Sequence, residues 1–257
     1  MAFYRREGET LVPTPWCIGP WDTRLQHGGP PSALLAGAAE KYGDDAGAFV
    51  VVRVTVELLR PVGFAPLRVA VTPLRLGRRA QWLQADLTSE GRLLARATVV
   101  RVARASLDLP DRTAPLPPPP GPDGVPDFVF PFFLSDEGYH RAVDLRIAEG
   151  TWGEGPCTAW MRPRVPLVEG EERTPLESLV IVADATNGVA PALPIDEYTF
   201  INPDLTLHLR RPLTGHWFAM AARSLAEPTG TGLVQSCLSD VDGEVGRCLQ
   251  SLVIGVR

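Results

Sequence analysis

The sequence has little of what marks membrane, secreted or metal-binding proteins. No apolar run reaches the ~20 residues that a membrane-spanning helix needs. Residues 1–9 are charged and lack the apolar run of a signal peptide. The 4 cysteines are scattered without a C-x-x-C pair, which favours buried thiols in a reducing compartment over disulfides or zinc. We therefore expect a cytoplasmic protein with no membrane span, no metal and no cofactor.

Signatures of several other classes are missing as well. The glycines near the N-terminus do not form a G-x-G-x-x-G motif after a strand, and no G-x-S-x-G nucleophile elbow is present. A net charge of −5 argues against a nucleic-acid partner, because binding to nucleic acid relies on Lys and Arg contacts to phosphates. With 257 residues, of which 45% are hydrophobic, the chain can form one large domain or two small ones.

What the sequence does contain is an internal duplication. Residues 54–61 read VTVELLRP, and residues 205–212 read LTLHLRRP. Just before these segments, the first copy has Arg53 where the second copy has Asp204. A duplicated fold in which one copy carries the acid predicts a single active site, built across the joint between the copies.

A proline-rich stretch separates the two copies. Residues 116–122 read LPPPPGP, a composition typical of an extended, semi-rigid linker. We therefore predict an N-terminal domain over residues 1–104, a linker over residues 105–127 and a C-terminal domain over residues 128–257.

Each half contains one apolar helix followed by strands. Pro30 opens the first helix, which ends near Gly43, and the capping box at Thr174 opens the second, which ends near Gly188. Both helices are apolar on most sides, as buried helices are. Alternating apolar residues then indicate strands, and the three later strands of each half are expected at residues 67–76, 80–88 and 93–102, and at 217–225, 232–239 and 244–256.

Four segments resemble, in the same order, the acyl-CoA thioesterase II family of the double hotdog superfamily. They are residues 27–35 (HGGPPSALL), 183–193 (ADATNGVAPAL), 202–212 (NPDLTLHLRRP) and 247–252 (RCLQSL). The resemblance implies an α+β double hotdog fold, with two long buried helices wrapped by antiparallel strands of one continuous curved sheet. It also implies hydrolysis of an acyl-CoA to a free acid and CoA, and dimers or larger assemblies of identical chains.

The resemblance further suggests which residues handle the attacking water. In the family an Asp, a hydroxyl residue and a Gln hold this water together, and Asp204 and Gln250 match the first and the last. At the hydroxyl position the simplest alignment gives Leu225, whereas a small gap favours Ser224 beside it or Thr231 further along. From the residues alone, Asp204 could equally cap a turn, and Gln250 could satisfy a neighbouring backbone group.

The start of the first helix is the candidate site for the thioester carbonyl. Unsatisfied N–H groups at a helix start favour negative charge, and Gly28 and Gly29 allow a close approach to the backbone. Because Pro30 and Pro31 lack N–H groups, the available donors are expected at Gly28, Gly29 and Ser32. The adjacent His27 either contacts substrate or has a structural role.

Other interpretations stay open at this point. Asp184, late in the second helix, is the rival acid, although it could also cap the helix exit. The chain could be a non-catalytic acyl-CoA binding protein of the same fold, since a clear hydroxyl is missing at Leu225. A hydratase or dehydratase ranks third, because Asp204 and His208 would lie about 13 Å apart along one strand.

Overall fold

The computed structural model describes residues 1–43, 46–110 and 118–257. Of the predicted linker, residues 111–117, including Leu116 and Pro117 of the proline run, lie outside the described residues. The described parts of the linker contain no helix or strand beyond an isolated bridge at Asp127. The division into two domains at this linker stays a prediction.

The described chain alternates strands and helices in an α+β arrangement. The helices are α1 (Gly29–Glu40), α2 (Tyr139–Ala142), α3 (Pro175–Ala183) and α4 (Thr186–Val189). The strands are β1 (Tyr4–Glu7), β2 (Thr10–Pro13), β3 (Phe49–Leu58), β4 (Arg68–Leu76), β5 (Ala80–Ser89), β6 (Arg92–Ala103), β7 (Val143–Glu149), β8 (Cys157–Pro163), β9 (Tyr198–Ile201), β10 (Asp204–Leu209), β11 (Phe218–Ala226), β12 (Thr231–Asp240) and β13 (Gly243–Val256). Among the described residues, no helix has the length and apolar content needed to cross a bilayer.

Eleven of the described strands form one large antiparallel sheet. Their order is β4-β5-β6-β3-β10-β13-β12-β11-β8-β7, and β9 pairs with the end of β13. The four strands that follow α1 therefore recur in reverse order in the second half, and the two halves join where β3 pairs with β10. The predicted large antiparallel sheet is confirmed, and so are the hairpin turns, in which Gly91 and Gly243 have positive φ.

The joint between the halves has a pseudo-twofold axis that the duplication explains. Thr55 lies opposite Thr206, with the two hydroxyl oxygens 3.4 Å apart. Val54 pairs with Leu207, and Val56 pairs with Leu205. The repeat relates residue 54 to residue 205, an offset of 205 − 54 = 151, and the same offset relates 55 to 206. Thr55 and Thr206, which are equivalent residues of the two copies, therefore face each other at the centre of the sheet, and the pairs on either side are exchanged.

The two main helices cross inside the sheet at glycines. A side chain at Gly29 would overlap the carbonyl oxygen of Ile181, and one at Gly37 would overlap the side chain of Glu177. All but two residues of α1 are buried, and α3 is buried from Leu176 to Ala183. The glycines thus permit the backbones of α1 and α3 to approach closely, which brings the start of α1 to the end of α3.

The second helix is shorter than the sequence predicts. It begins at the predicted capping box, in which Thr174 and Glu177 bond each other's backbone, but it ends after 9 residues and not near Gly188. The backbone hydrogen bonds of the helix stop here because side-chain donors occupy the next two carbonyl oxygens. The Thr186 hydroxyl donates to Ala183 O (2.5 Å), and Gln250 Nε2 donates to Asp184 O (3.0 Å). A separate helical turn, α4, follows. The break leaves Asp184 at a helix end, facing the start of α1.

Candidate active site

A cavity of about 290 Å³ opens where the start of α1 meets the end of α3. His27 and Gly28 form one side, and Asp184 and Asn202 form another. Residues 58–62, which include the last residue of β3 and the four residues after it, also contribute. The cavity therefore draws residues from both copies of the repeat.

Aromatic rings cover much of the cavity wall. Trp21 stacks on Phe132 with ring centres 6.2 Å apart and meets the edge of Phe200 at 5.4 Å. Phe132 also packs against Phe130 and Phe133 at 5.2 and 5.5 Å, separations typical of favourable aromatic pairs. Sequence reasoning missed this wall, although residues 128–133 read FVFPFF directly after the linker. The cavity can therefore hold an apolar group against a largely aromatic surface.

Two carboxylates line this cavity: Asp22, which is ion-paired with Arg24, and the buried Asp184. The side chain of Asp184 is only 3% exposed, and Oδ1 accepts a hydrogen bond from Asn202 Nδ2 at 2.8 Å. The second oxygen, Oδ2, lies 3.1 Å from His27 Nδ1. A side chain at Gly28 would come within 2.8 Å of Oδ2, so this glycine is required for the helix start to approach the carboxylate.

His27 is held tightly between Asp184 and an aromatic ring. Its imidazole stacks on Tyr139 with ring centres 3.7 Å apart and an angle of 4°, and Tyr139 is fixed by donating its hydroxyl to Ile181 O at 3.0 Å. Burial lowers the pKa of His27, an effect that the nearby Asp184 opposes. Burial raises the pKa of Tyr139 well above its usual range, and Asp184 adds to this shift. The neutral forms of both rings are therefore favoured.

The helix-start donors differ in part from the prediction. The Ser32 N–H donates to Gly28 O at 3.1 Å, and the Ser32 hydroxyl donates to the same oxygen at 2.7 Å. Ser32 is thus engaged within the helix and is not available to a substrate. Gly28 lines the cavity, and the Gly29 N–H points to His27 Nδ1 at 3.1 Å. The candidate donors are reduced to the two glycines.

Gln250 lies behind Asp184 on the inner face of β13. Its side chain is almost fully buried, and Nε2 donates to the Asp184 carbonyl. Oε1 is buried without a hydrogen-bond partner among the described residues. Gln250 therefore fixes the backbone that carries the acid and keeps one acceptor unused.

The candidate hydroxyl, Ser224, lies further away on the same inner face. Ser224 pairs with Val234, and Val234 pairs with Gln250, so the three form one row across β11, β12 and β13. At ~4.8 Å per strand, Ser224 and Gln250 lie roughly 10 Å apart along this row. The Ser224 hydroxyl is buried without a partner among the residues described, whereas Leu225 is 43% exposed on the outer face. The row places Ser224, and not Leu225, on the side of Gln250.

Asp204 does not lie with these residues, which corrects the predicted arrangement. Its oxygens accept hydrogen bonds from the Ser251 N–H at 2.7 Å and the Ser251 hydroxyl at 2.9 Å. Ser251 follows Gln250 directly in β13, and successive strand residues point to opposite faces. Because Asp204 contacts Ser251 on the outer face and Gln250 points inward, the two cannot hold one water between them.

Comparisons with known proteins agree with the fold. The N-terminal domain of acyl-CoA thioesterases matches residues 17–102, and the C-terminal domain matches residues 110–254. The chain belongs to the acyl-CoA thioesterase family. As a member of this family, it is a thioester hydrolase.

Solved structures similar to this thioesterase share its fold. A Thermobifida fusca protein proposed to be a thioesterase II is 21% identical, with 98% of this chain and 95% of the other covered at a TM-score of 0.74. The acyl-CoA thioesterase II TesB2 of Mycobacterium marinum is 15% identical, with 89% and 90% covered and a TM-score of 0.67. A hot dog fold protein of Alicyclobacillus acidocaldarius is 17% identical, with 99% and 95% covered and a TM-score of 0.69. A search among curated proteins finds no match.

Proposed function

We propose that this thioesterase hydrolyses an acyl-CoA by direct attack of water in the cavity beside Asp184. One observation carries the proposal: a buried carboxylate, hydrogen-bonded by Asn202 and in contact with His27, faces the start of α1 inside an apolar cavity. The attacking water must lose a proton during the reaction. A carboxylate close to this water favours that loss through its negative charge. The catalytic carboxylate is therefore assigned to Asp184 and not to Asp204.

The start of α1 is suited to bind the thioester oxygen. Negative charge develops on this oxygen as water attacks, and the free N–H groups and dipole of a helix start stabilise such charge. Gly28 lines the cavity beside Asp184, so the oxygen and the water would sit on neighbouring sides of the carbonyl carbon. Loss of one such donor typically raises the barrier by about 3 kcal/mol.

The cavity favours a short or ring-bearing acyl group. Its volume of about 290 Å³ is at the lower end of ligand pockets, which span roughly 300–1,000 Å³. The wall of Trp21, Phe130, Phe132, Phe133 and Phe200 offers flat apolar faces on which an aromatic acyl group can stack. We expect a benzoyl or short aliphatic acyl-CoA to be hydrolysed with a higher kcat/KM than palmitoyl-CoA.

The test is release of CoA thiol from acetyl-, hexanoyl-, benzoyl- and palmitoyl-CoA by the wild-type chain and two matched variants. Asp184→Asn removes the buried carboxylate of the cavity, and kcat/KM is expected to fall on the order of 10³-fold, within the range for acid–base catalysis. Asp204→Asn makes the same chemical change on the outer face and is expected to leave kcat/KM within about threefold, as for a surface substitution.

Each alternative function gives a different result in this assay. Tight acyl-CoA binding without thiol release from any member of the series would select a non-catalytic binding protein. A hydratase would form a 3-hydroxyacyl-CoA from an enoyl-CoA. The pair that the sequence suggests for that reaction, Asp204 and His208, lies on the outer face of β10, away from the cavity.

A further inference from the structure

We propose that two copies of this chain pack the outer faces of their large sheets against each other, related by a twofold axis that runs across the strands. Arg53 of each copy then faces Glu57 of the other. In the same way, His208 of each copy faces Asp204 of the other. The proposal concerns assembly and goes beyond the proposed hydrolysis, on which it does not depend.

One row of outer-face side chains at the joint between the halves is basic. Arg53 of β3 lies directly opposite His208 of β10, and His208 lies opposite Arg247 of β13. Arg247 is ion-paired with Glu244, whereas Nε of Arg53 is buried without a hydrogen-bond partner among the described residues. A shallow groove of about 650 Å³ opens at this row and is lined by all four side chains. The basic row therefore presents the Arg53 cation in a concave part of the sheet surface.

A second row, four residues along the same two strands, is acidic. Glu57 lies directly opposite Asp204, and the carboxylate of Asp204 accepts hydrogen bonds from Ser251. Arg96, which lies opposite Glu57 on its other side, is already ion-paired with Asp86. Like charges directly opposite each other destabilise a sheet. This acidic row is therefore suited to receive a cation from outside the chain.

The two rows lie at equal distances from an uncharged centre. Thr55 and Thr206 face each other midway between the rows, so each row lies two residues, or about 7 Å, from the centre. A twofold axis above this centre, parallel to the sheet and perpendicular to the strands, places each strand over the same strand of the second copy in the reverse direction.

This operation brings the basic row of each copy onto the acidic row of the other. A twofold axis parallel to the strands would instead place like charges on each other, and facing like charges oppose association. The charge pattern therefore selects one of the two ways in which the outer faces can pack as a closed, self-complementary dimer.

The reach of the side chains and the size of the surface both permit the contact. Packed sheets lie about 10 Å apart, a gap that an Arg and a Glu from facing strands can bridge. The six strands from β5 to β12, over about seven residues each, cover roughly 650 Å² of each copy at ~4.8 Å per strand and ~3.3 Å per residue. The sum for two copies, roughly 1,300 Å², lies within the ~1,200–2,000 Å² of stable interfaces.

The central row supplies an apolar contact at the axis. Leu249 lies beside Thr206 in this row and is 42% exposed on the outer face. Because the axis passes above the central row, Leu249 of one copy would face Leu249 of the other. Burial of this pair favours association, while the charged rows on either side set its direction.

The first test is the oligomeric state of the wild-type chain, Arg53→Glu and Glu57→Arg, measured by sedimentation equilibrium. We expect a wild-type dimer, and a dissociation constant at least about 100-fold higher in each variant, because each change places like charges on each other twice by symmetry. Glu90→Arg makes the same charge change in the exposed turn between β5 and β6, outside both rows. This matched control should dimerise like the wild type.

An equimolar mixture of the two variants distinguishes an interface from a structural role within one chain. In the mixed pair, each substituted side chain faces a side chain of opposite charge, so we expect dimers that contain one chain of each variant. A chain that carries both substitutions should also dimerise, for the same reason. Circular dichroism checks that each variant is folded.

A further measurement needs no variant. Because salt screens interactions between exposed charges, the dissociation constant of the wild-type dimer should rise between about 0.05 and 0.5 M NaCl.

Four results would overturn the proposal: a monomeric wild-type chain, single variants that dimerise like the wild type, folded single variants whose mixture stays monomeric, or a wild-type dimer that is indifferent to salt. None of these results depends on thiol release, so failure of this proposal and failure of the proposed hydrolysis are separately visible.

Discussion

At the scale of single residues, the site depends on how one carboxylate is solvated by the protein. Asp184 is buried, and burying a charge costs free energy unless donors surround it. Asn202 and His27 face its two oxygens, and Asn202 Nδ2 also donates to the Asp204 carbonyl at 3.2 Å. Asn202 therefore links the helix end that carries the acid to the strand that begins at Asp204.

Removing the Asn202 side chain tests this link. Asn202→Ala leaves Oδ1 of Asp184 without its donor, and we expect the free energy of unfolding to fall by about 1–3 kcal/mol, together with kcat/KM. Urea unfolding and thiol release measure the two effects. Ser251→Ala removes a hydroxyl hydrogen bond to Asp204 on the exposed face and should cost less than about 0.5 kcal/mol. Equal losses in the two variants would contradict a special role for Asn202.

The sequence carried part of this information. In β10 the acid alternates with Leu205 and Leu207, which places Asp204 on the outer face, and in β13 Gln250 shares the inner face with Cys248 and Leu252. Strict period-two alternation along both strands therefore predicts that Asp204 and Gln250 lie on opposite faces of the sheet. The contact of His27 with Asp184 could not be read in this way, because it depends on how α1 packs against α3 from another part of the chain.

At the scale of elements, local signals located most of the sheet and the helix starts. The capping box at Thr174, the hairpin glycines and the alternating strands all lie where the sequence predicts them. The end of α3 was misplaced because its cause is not local: Gln250, on the last strand, takes the Asp184 carbonyl. The strands β7 and β8 and the short helix α2 had no clear pattern and were missed.

His140, in the short helix α2, makes the free energy of unfolding depend on pH. Burial, reinforced by Arg141, lowers the pKa of His140 from 6.5 to about 4, and its Nδ1 is buried without a partner in the described chain. Below pH 6.5 the unfolded chain therefore binds a proton that the folded chain does not, so the free energy of unfolding falls as the pH drops toward about 4. The lowered pKa of His27 acts in the same direction.

His140→Phe should reduce the fall in the free energy of unfolding at low pH. Phenylalanine keeps a ring against Phe133, whose centre lies 4.2 Å from that of His140, but cannot take up a proton. Urea unfolding at pH 7 and at pH 4.5 should show a smaller difference for the variant than for the wild type. A pH dependence as steep as that of the wild type would contradict the assignment to His140.

At the scale of the whole molecule, the two copies form one structure. β3 and β10 pair at the centre of the sheet, α1 crosses α3 at Gly29 and Gly37, and a single large cluster of buried apolar residues includes side chains from both halves. The pseudo-twofold arrangement already supplies an internal dimer. The predicted homodimer of whole chains stays a prediction, which sedimentation equilibrium can check.

The shared core predicts cooperative unfolding of the whole chain. Because neither half keeps its sheet partner or helix contact when the other unfolds, we expect a single transition in urea. Tryptophan fluorescence and far-ultraviolet circular dichroism should give the same midpoint. Two separated transitions would instead indicate that the N-terminal and C-terminal domains are energetically independent.

The assignment of Asp184 to a water-dependent hydrolysis in the cavity between the two copies can be tested directly. The most direct measurement is kcat/KM for CoA thiol release by Asp184→Asn beside Asp204→Asn, with the same acyl-CoA and with folding confirmed by circular dichroism. We expect a loss on the order of 10³-fold for Asp184→Asn and near-normal activity for Asp204→Asn. Near-normal activity of Asp184→Asn, with or without a loss in Asp204→Asn, would contradict it.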